Sequence, residues 1–457
     1  MARSSSVLVG NGQGFWGDSL LGPVRLVEEG PLHYLTLDYL AEVTMSIMQK
    51  ARARDPQAGY ATDFVRLVER VLPACKERGI RIIANAGGVN PAGCVEAISR
   101  VVRSIGLHGV RIGMVEGDDI LYRLKELIES GEQFANLDTD ELLAPRMGDV
   151  QAANVYIGVQ GIVEALDAGA DIVIVGRCTD PSLALAPLVY EFGWSMQDYN
   201  SLAAGTVAGH IIECGAQATG GNFTKWRSVK DFARIGYPVV EANADGTFVV
   251  TKHRGTGGMV TTDTVTAQLL YELGDPHTYL TPDVTADFTS IQLHQDGDDR
   301  VRVDGVQGSA PTDTFKVSIA LHGGWKAVGQ LTVPGPEAID KAKVCAEMLF
   351  ERLEMDGYSF APENRIVEML GSGVCFEGMI NAAPEPPEVA LRVGVRDTDR
   401  QKVDRFGMEI AAVVTSGPPG LTGFASGRPK ASEIVSFWPA LISKKYVKTS
   451  ANVVEVS

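Results

Sequence analysis

Five short apolar runs, separated by helix-patterned segments, constrain the first half of this chain more than any other feature. They are residues 7–10 (VLVG), 34–39 (YLTLDY), 81–84 (RIIA), 110–115 (VRIGMV) and 171–176 (DIVIVG). Such near-continuous apolar character marks strands buried on both faces, as in parallel sheets. Between them, Phe64, Leu67, Val68, Val71 and Leu72 share one helical face. So do Val95, Ile98, Val101, Val102 and Ile105, in a helix opened by Pro91. Helices are also expected over 121–128 and 154–168. The alternation predicts an α/β fold with an N-terminal, mainly parallel sheet flanked by helices, Rossmann-like in plan.

Beyond residue 230 the pattern changes. Residues 238–241, 247–251, 291–293, 300–303, 314–321, 329–333 and 388–396 read as strands, with turn signals at Gly246, Gly297 and Gly305. Helices are expected over 338–353 and 399–413. This is an α+β pattern with antiparallel pairing. A chain of 457 residues exceeds one ordinary core. Two domains are therefore expected: an α/β ligand-binding domain over 1–230 and an α+β domain with Gly-rich basic loops over 231–457. The balance of 41 basic against 57 acidic residues leaves no bulk basic surface for nucleic acid or anionic membrane. No apolar run is long enough to span a bilayer, and MARSSSVLVGNGQG has no signal-peptide core. Six cysteines stand singly without a CxxC pair, which fits a reduced, cytoplasmic protein.

Ligands of open parallel sheets bind beyond the carboxyl ends of the strands. There the sequence places Asn11 and Gln13 after the first run and Asp38 after the second. Asn85, Gly87 and Gly88 follow the third, Glu116, Asp118 and Asp119 the fourth, and Arg177 and Asp180 the fifth. If the strands share one sheet, these groups converge. The carboxylates of 116–119 have three readings: a helix N-cap, a general acid or base with a raised pKa, or ligands for a divalent metal. Arg177 can fork onto a carboxylate or phosphate, or simply pair with Asp180 or Glu116. His210 and Glu213, three apart, share a helix face and suit an acid–base pair or a metal pair.

Glycines supply the remaining candidates. Gly220 and Gly221 offer backbone N–H groups. Gly12-Gln13-Gly14-Phe15-Trp16-Gly17 matches GxGxxG after a strand, and Asp38 stands where a dinucleotide site has its ribose-binding acid. However, Asp18-Ser19-Leu20-Leu21-Gly22-Pro23 is a poor helix start for receiving a pyrophosphate. A tight loop near some other ligand is the better reading. Residues 252–258 (KHRGTGG, with Lys252 and Gly257) precede a helix near Thr262. Residues 415–423 lead into Gly427-Arg428-Pro429-Lys430. Each is either an anion grip or a rigid surface loop.

Taken together, GNGQGFWGDS, YLTLDYLAE, GYATDF, NAGGVNP, VEGDD, GRCTDPSLALAPLVYEFGW, LAAGTVAGHIIECGAQATGGNF, YELGDP, YLTPDV and SGPPGLTGFASGRP resemble the acyclic terpene utilisation protein A family, from residue 7 to about residue 440. The resemblance implies a role in bacterial breakdown of citronellol and geraniol, beside acyl-CoA carboxylases and enoyl-CoA hydratases. It implies an acyl-CoA substrate, coenzyme A entering as part of that substrate, and hydratase, lyase or isomerase chemistry. Many members carry a further small C-terminal domain, so a separate chain bearing it, or an acyl-CoA carboxylase, is an expected partner. No catalytic residue is carried over. From the residues themselves, Glu116, Asp118, His210 and Glu213 are the expected proton-transfer groups. The expected contacts to substrate are Asn11, Gln13, Asp38, Asn85, Gly87, Gly88, Arg177, Asp180, Gly220, Gly221, Lys252, Gly257 and Arg428. The alternatives are a non-catalytic accessory subunit and a nicotinamide-dependent oxidoreductase. Homo-oligomers are the commonest state for such chains.

Overall fold

The computed structural model describes residues 6–376, 379, 385–423 and 427–457; residues 1–5 of the N-terminal stretch and 424–426 of the second Gly-rich loop lie outside them. The strands are β1 (Ser6–Asn11), β2 (Tyr34–Leu37), β3 (Arg81–Ala84), β4 (Val110–Glu116), β5 (Val150–Val155), β6 (Ile172–Val175), β7 (Pro238–Asn243), β8 (Phe248–Lys252) and β9 (Tyr279–Leu280). They continue as β10 (Thr285–Asp287), β11 (Gln292–Gln295), β12 (Arg300–Asp304), β13 (Gln307–Ser309), β14 (Thr314–Pro334), β15 (Arg365–Leu370), β16 (Glu388–Asp397), β17 (Ser432–Ser443) and β18 (Ser450–Val456). The helices are α1 (Leu21–Glu29), α2 (Glu42–Arg54), α3 (Thr62–Arg78), α4 (Pro91–Ser104), α5 (Leu124–Glu129), α6 (Gln160–Asp167), α7 (Ser182–Phe192), α8 (Tyr199–Ile212), α9 (Thr262–Leu269), α10 (Ala338–Met355) and α11 (Arg400–Ser416).

The main sheet has ten strands in the order β11-β12-β8-β7-β1-β2-β3-β6-β4-β18. Its middle, β1-β2-β3-β6-β4, is parallel throughout. The sheet as a whole is mixed, because β7 pairs antiparallel with β1 and β18 antiparallel with β4. Alternation of side chains explains the apolar runs. Leu35, Leu37, Ile82, Ala84, Ile172 and Ile174 share one core with α1, α3 and α4. Tyr34 points the other way and donates its hydroxyl to Glu191 of α7 at 2.5 Å. Helices on both faces leave these strands no wet side.

Two compact units divide the chain: residues 1–320 with 437–457, and residues 321–436. Position 230 falls inside the first, because β7 and β8 extend the sheet that β1 begins. In the second unit residues 325–334 of β14 pair with β16, which pairs with β15, and α10 and α11 pack on β16 around Leu331, Val333, Leu349, Leu391, Phe406 and Ile410. Two expected elements change. The helix over 154–168 is instead β5 followed by α6, and Asn154 is a strand residue whose amide serves Asp118. The runs at 314–321 and 329–333 are one strand, β14, whose residues 325–334 pair with β16. Among the described residues no helix is long and apolar enough to cross a membrane.

Candidate functional site

The parallel strands end together, so the residues just after them meet. Asn11 anchors this edge. Its amide donates to the carbonyls of Gln13 (2.9 Å), Ile212 (2.8 Å) and Glu213 (2.8 Å), tying β1 to the end of α8. Gly14 makes that junction possible: a Cβ there would lie 2.9 Å from the Cys214 carbonyl carbon. The glycine signature is thus spent on the protein's own helix. Gln13 is fully buried, and its Oε1 has no hydrogen-bond partner among the described residues.

Arg177 is the hub. Its guanidinium is 2% exposed and lies 4.1 Å above the Tyr156 ring. It donates to Asp180 (2.6 Å) and to the Cys178 carbonyl (2.7 Å), while its Nε has no partner. Asp38 feels this charge and accepts from Asn85 at 2.6 Å. Burial nevertheless pushes the Asp38 carboxyl well above its ordinary range, and Asp180 and Glu213 add to that against the pull of Arg177 and Asn85. Asp118 sits behind the hub, accepting from the Arg177 backbone N–H (2.8 Å) and Asn154 (3.0 Å). Burial pushes its carboxyl up to about 7, against those two donors. Asp119 accepts from the Leu121 N–H at 3.0 Å, in the turn that leads toward α5; the N-cap there is Ile120, without a side-chain cap.

His210 is 1% exposed; its Nδ1 lies 3.0 Å from Glu213 Oε1, too poorly aligned to count as a hydrogen bond. The contact is therefore one of charge proximity. Tyr279 and Phe288 close over the imidazole edge-on, at 5.4 and 5.3 Å between centroids. Burial opposes the imidazolium, but Glu213 together with the Leu269 and Gln268 backbone carbonyls offsets it and His210 is raised overall. Burial raises Glu213 too, to about 7, with His210 pulling the other way. Glu213 keeps 9% of its side chain exposed and Asp180 32%, so these two are the members that reach the surface.

Several expected contacts lie elsewhere or are already committed. Glu116 is exposed at the end of β4, facing Ser450 in the β18 register. The N–H groups of Gly87 and Gly88 donate to Val175 and Asn85, and those of Gly220 and Gly221 to Gln217 and Ala216. None of the four N–H groups is left for a ligand oxygen. Lys252 is buried and pairs with Asp299 at 2.8 Å, and the Gly257 N–H donates to Arg234 at 2.7 Å. Thr261 and Thr264 cap α9 reciprocally, which closes that anion site. Arg428 is exposed in the second unit. Among the described residues no three His, Cys, Asp or Glu side chains are grouped to hold a metal.

Of the other residues of the site, Glu42 follows the second apolar run and Thr179 the fifth, whereas Tyr156 and Lys316 carried no signal of their own. Tyr156 donates to Glu42 at 2.6 Å, and Lys316 lies 4.9 Å over its ring. Tyr156 and Thr179 form one side of a cavity of about 270 Å³ whose other walls include Leu137, Leu280, Phe315 and Leu441. The polar cluster thus adjoins an apolar chamber. Tyr156 follows β5, so recognising that strand would have pointed to it. Nothing in the sequence marks Tyr279 and Phe288 as the lid of His210.

The fold and this edge define an α/β protein that concentrates its buried ionisable groups at the carboxyl ends of parallel strands. Within that class the chain belongs to the acyclic terpene utilisation family AtuA, whose model matches residues 7–453. Comparison with curated proteins and with solved structures finds no match.

Proposed function

We propose that this chain is an enzyme of acyclic terpene breakdown that binds a branched or carboxylated acyl-CoA and moves a proton beside its thioester, in a hydration, lyase or isomerisation step. The observation that carries this reading is the Arg177 hub, whose partner Asp180 also acts on Glu213 and whose stacking ring, Tyr156, lines an apolar chamber. Arg177 and Tyr156 orient an anionic or carbonyl oxygen, and the chamber takes the apolar chain. Glu213, poised near neutral pH and partly exposed, gives or takes the proton. His210 lies behind it and acts as a positioning residue. In the 252–258 loop Lys252 and the Gly257 and Gly258 N–H groups are committed, and the phosphates of coenzyme A are left to the outer surface. A second copy and a carboxylase remain the proposed associates, with the cytoplasm as the proposed compartment.

A thermal-shift panel of branched and carboxylated acyl-CoAs, free coenzyme A and NAD(P) tests this. A ligand at about 100 times its Kd adds roughly 2.7 kcal/mol to native stability, a shift of a few degrees. The reading expects a shift with an acyl-CoA that Arg177→Lys abolishes. A shift with NAD(P) alone would overturn it. So would full turnover of the acyl-CoA that binds by Glu213→Gln.

A further inference from the structure

A second and larger cavity lies in the first unit, with a volume of about 660 Å³. That is an ordinary size for a pocket holding a drug-sized ligand. It shares Pro282 and Phe315 with the apolar chamber, but none of the residues of the Arg177 hub line it. One wall is the face of α6 that carries Gln160, Val163, Glu164 and Asp167. Tyr190, Trp194 and Phe315 also line the cavity. Trp194 is fixed, because its indole N–H donates to the Ala244 carbonyl at 2.9 Å.

Charge at this cavity is one-sided. Asp283 is buried in the wall and accepts from the Val159 N–H at 3.2 Å, an approach allowed because Gly158 has no Cβ to collide with the carboxylate. Lys444 answers it. Its ammonium donates to the Pro282 carbonyl at 2.7 Å and sits 5.1 Å over the Phe315 ring. Burial lowers the lysine's pKa, and Asp283 works to hold its charge. The cavity therefore already seats one cation on a ring and a carbonyl, with Asp283 acting on it through charge. With that pair neutral, Glu164 and Asp167 remain, both exposed and without an ion-pair partner among the described residues.

We propose that this cavity is a second binding site for an organic ammonium ion with an apolar or aromatic body. Trp194 takes the body and faces the positive nitrogen through its quadrupole, because Tyr190 already carries Arg81 at 5.2 Å and Phe315 carries Lys444 at 5.1 Å. Glu164 and Asp167 on the α6 face add the Coulomb attraction that rejects an anion of equal size. The same charges exclude a phosphate-bearing group, so the site is separate from any coenzyme A arm.

Calorimetric titration of the full chain with benzyltriethylammonium, and with benzenesulfonate as the anionic counterpart, decides the matter. Benzyltriethylammonium is expected to bind and benzenesulfonate to give no heat at the same concentrations. Glu164→Gln with Asp167→Asn is expected to weaken the cation at least tenfold, and Trp194→Ala likewise. Unfolding midpoints measured alongside show whether each variant is folded. The two α6 positions are exposed, so the double variant keeps the test valid should Trp194→Ala fail to fold. Arg177→Lys is expected to leave the cation's affinity unchanged. Equal binding of the anion, no binding of either probe, or wild-type cation affinity in the folded double variant would each overturn the assignment.

Discussion

Glu213 owes its proton affinity to opposed influences: burial raises it and His210 restrains it. Removing the imidazole removes the restraint. His210→Gln should therefore move the titration of Glu213 to higher pH, displacing the acid limb of the pH–rate profile in the alkaline direction. Unperturbed limbs would show that the pair is only structural. Asp118 allows a cleaner test through stability. Its ordinary pKa is 3.8 and burial holds it near 7 in the folded chain, so the folded state binds this proton more tightly than the unfolded one. The resulting stability is complete below about pH 4 and is lost as pH rises through about 7. Asp118→Asn does not titrate. The wild type should lose on the order of 3–4 kcal/mol relative to Asp118→Asn between pH 4 and 8, read from denaturant midpoints. A constant difference across that range would mean that Asp118 is ionised throughout. Arg177→Lys should cost about 3 kcal/mol, since an ammonium cannot bridge Asp180 and the Cys178 carbonyl while lying flat on Tyr156.

Two elements, β1 and α8, meet through one side chain. Asn11→Asp would set a carboxylate against three carbonyl oxygens that now receive an amide, and should destabilise the first unit by about 3 kcal/mol. An unchanged midpoint would show that the junction is held by packing alone. This junction also marks how far the sequence could be read. The five apolar runs disclosed the parallel strands because burial on both faces removes the polar residues that otherwise blur a strand. Asp38 with Asn85 and Asp118 with Arg177 and Asp180 lie at the carboxyl edge that parallel strands share, whereas Glu116 is exposed opposite Ser450. β5 was hidden because VQAANV carries polar residues that are satisfied only across the fold, Asn154 by Asp118. The Gly-rich loops misled for the opposite reason. Gly87, Gly88, Gly220, Gly221 and Gly257 look like free backbone donors, but every one of their N–H groups is claimed by a distant or neighbouring carbonyl. Composition reveals that a loop can expose such groups, and only the packed chain shows whether it does.

At the scale of the whole molecule, the chain leaves the first unit at residue 320 and returns to it at 437. The last strand, β18, then closes one edge of the ten-stranded sheet by pairing with β4 from Val110 to Glu116. The site therefore rests on residues at the far end of the sequence. β4 leads into Asp118, and Tyr446 accepts a hydrogen bond from Arg123 at 2.9 Å through its carbonyl. Deleting residues 448–457 would strip this edge and uncover the β4 backbone donors and acceptors. It would also expose Val110 and Ile112, which are now fully buried. The expected result is loss of amide-exchange protection in β4, β6 and β3, with the site's ligand response lost as well. Protection in β16 and α11, whose core is built from residues of the second unit, should stay as it was. Hydrogen exchange read by mass spectrometry separates these outcomes peptide by peptide. Collapse of protection in both units together would mean that the chain unfolds as one cooperative body and that the two cores depend on each other. Retained protection in β4 would mean that the parallel middle of the sheet supports itself, with β18 serving only to cover its edge.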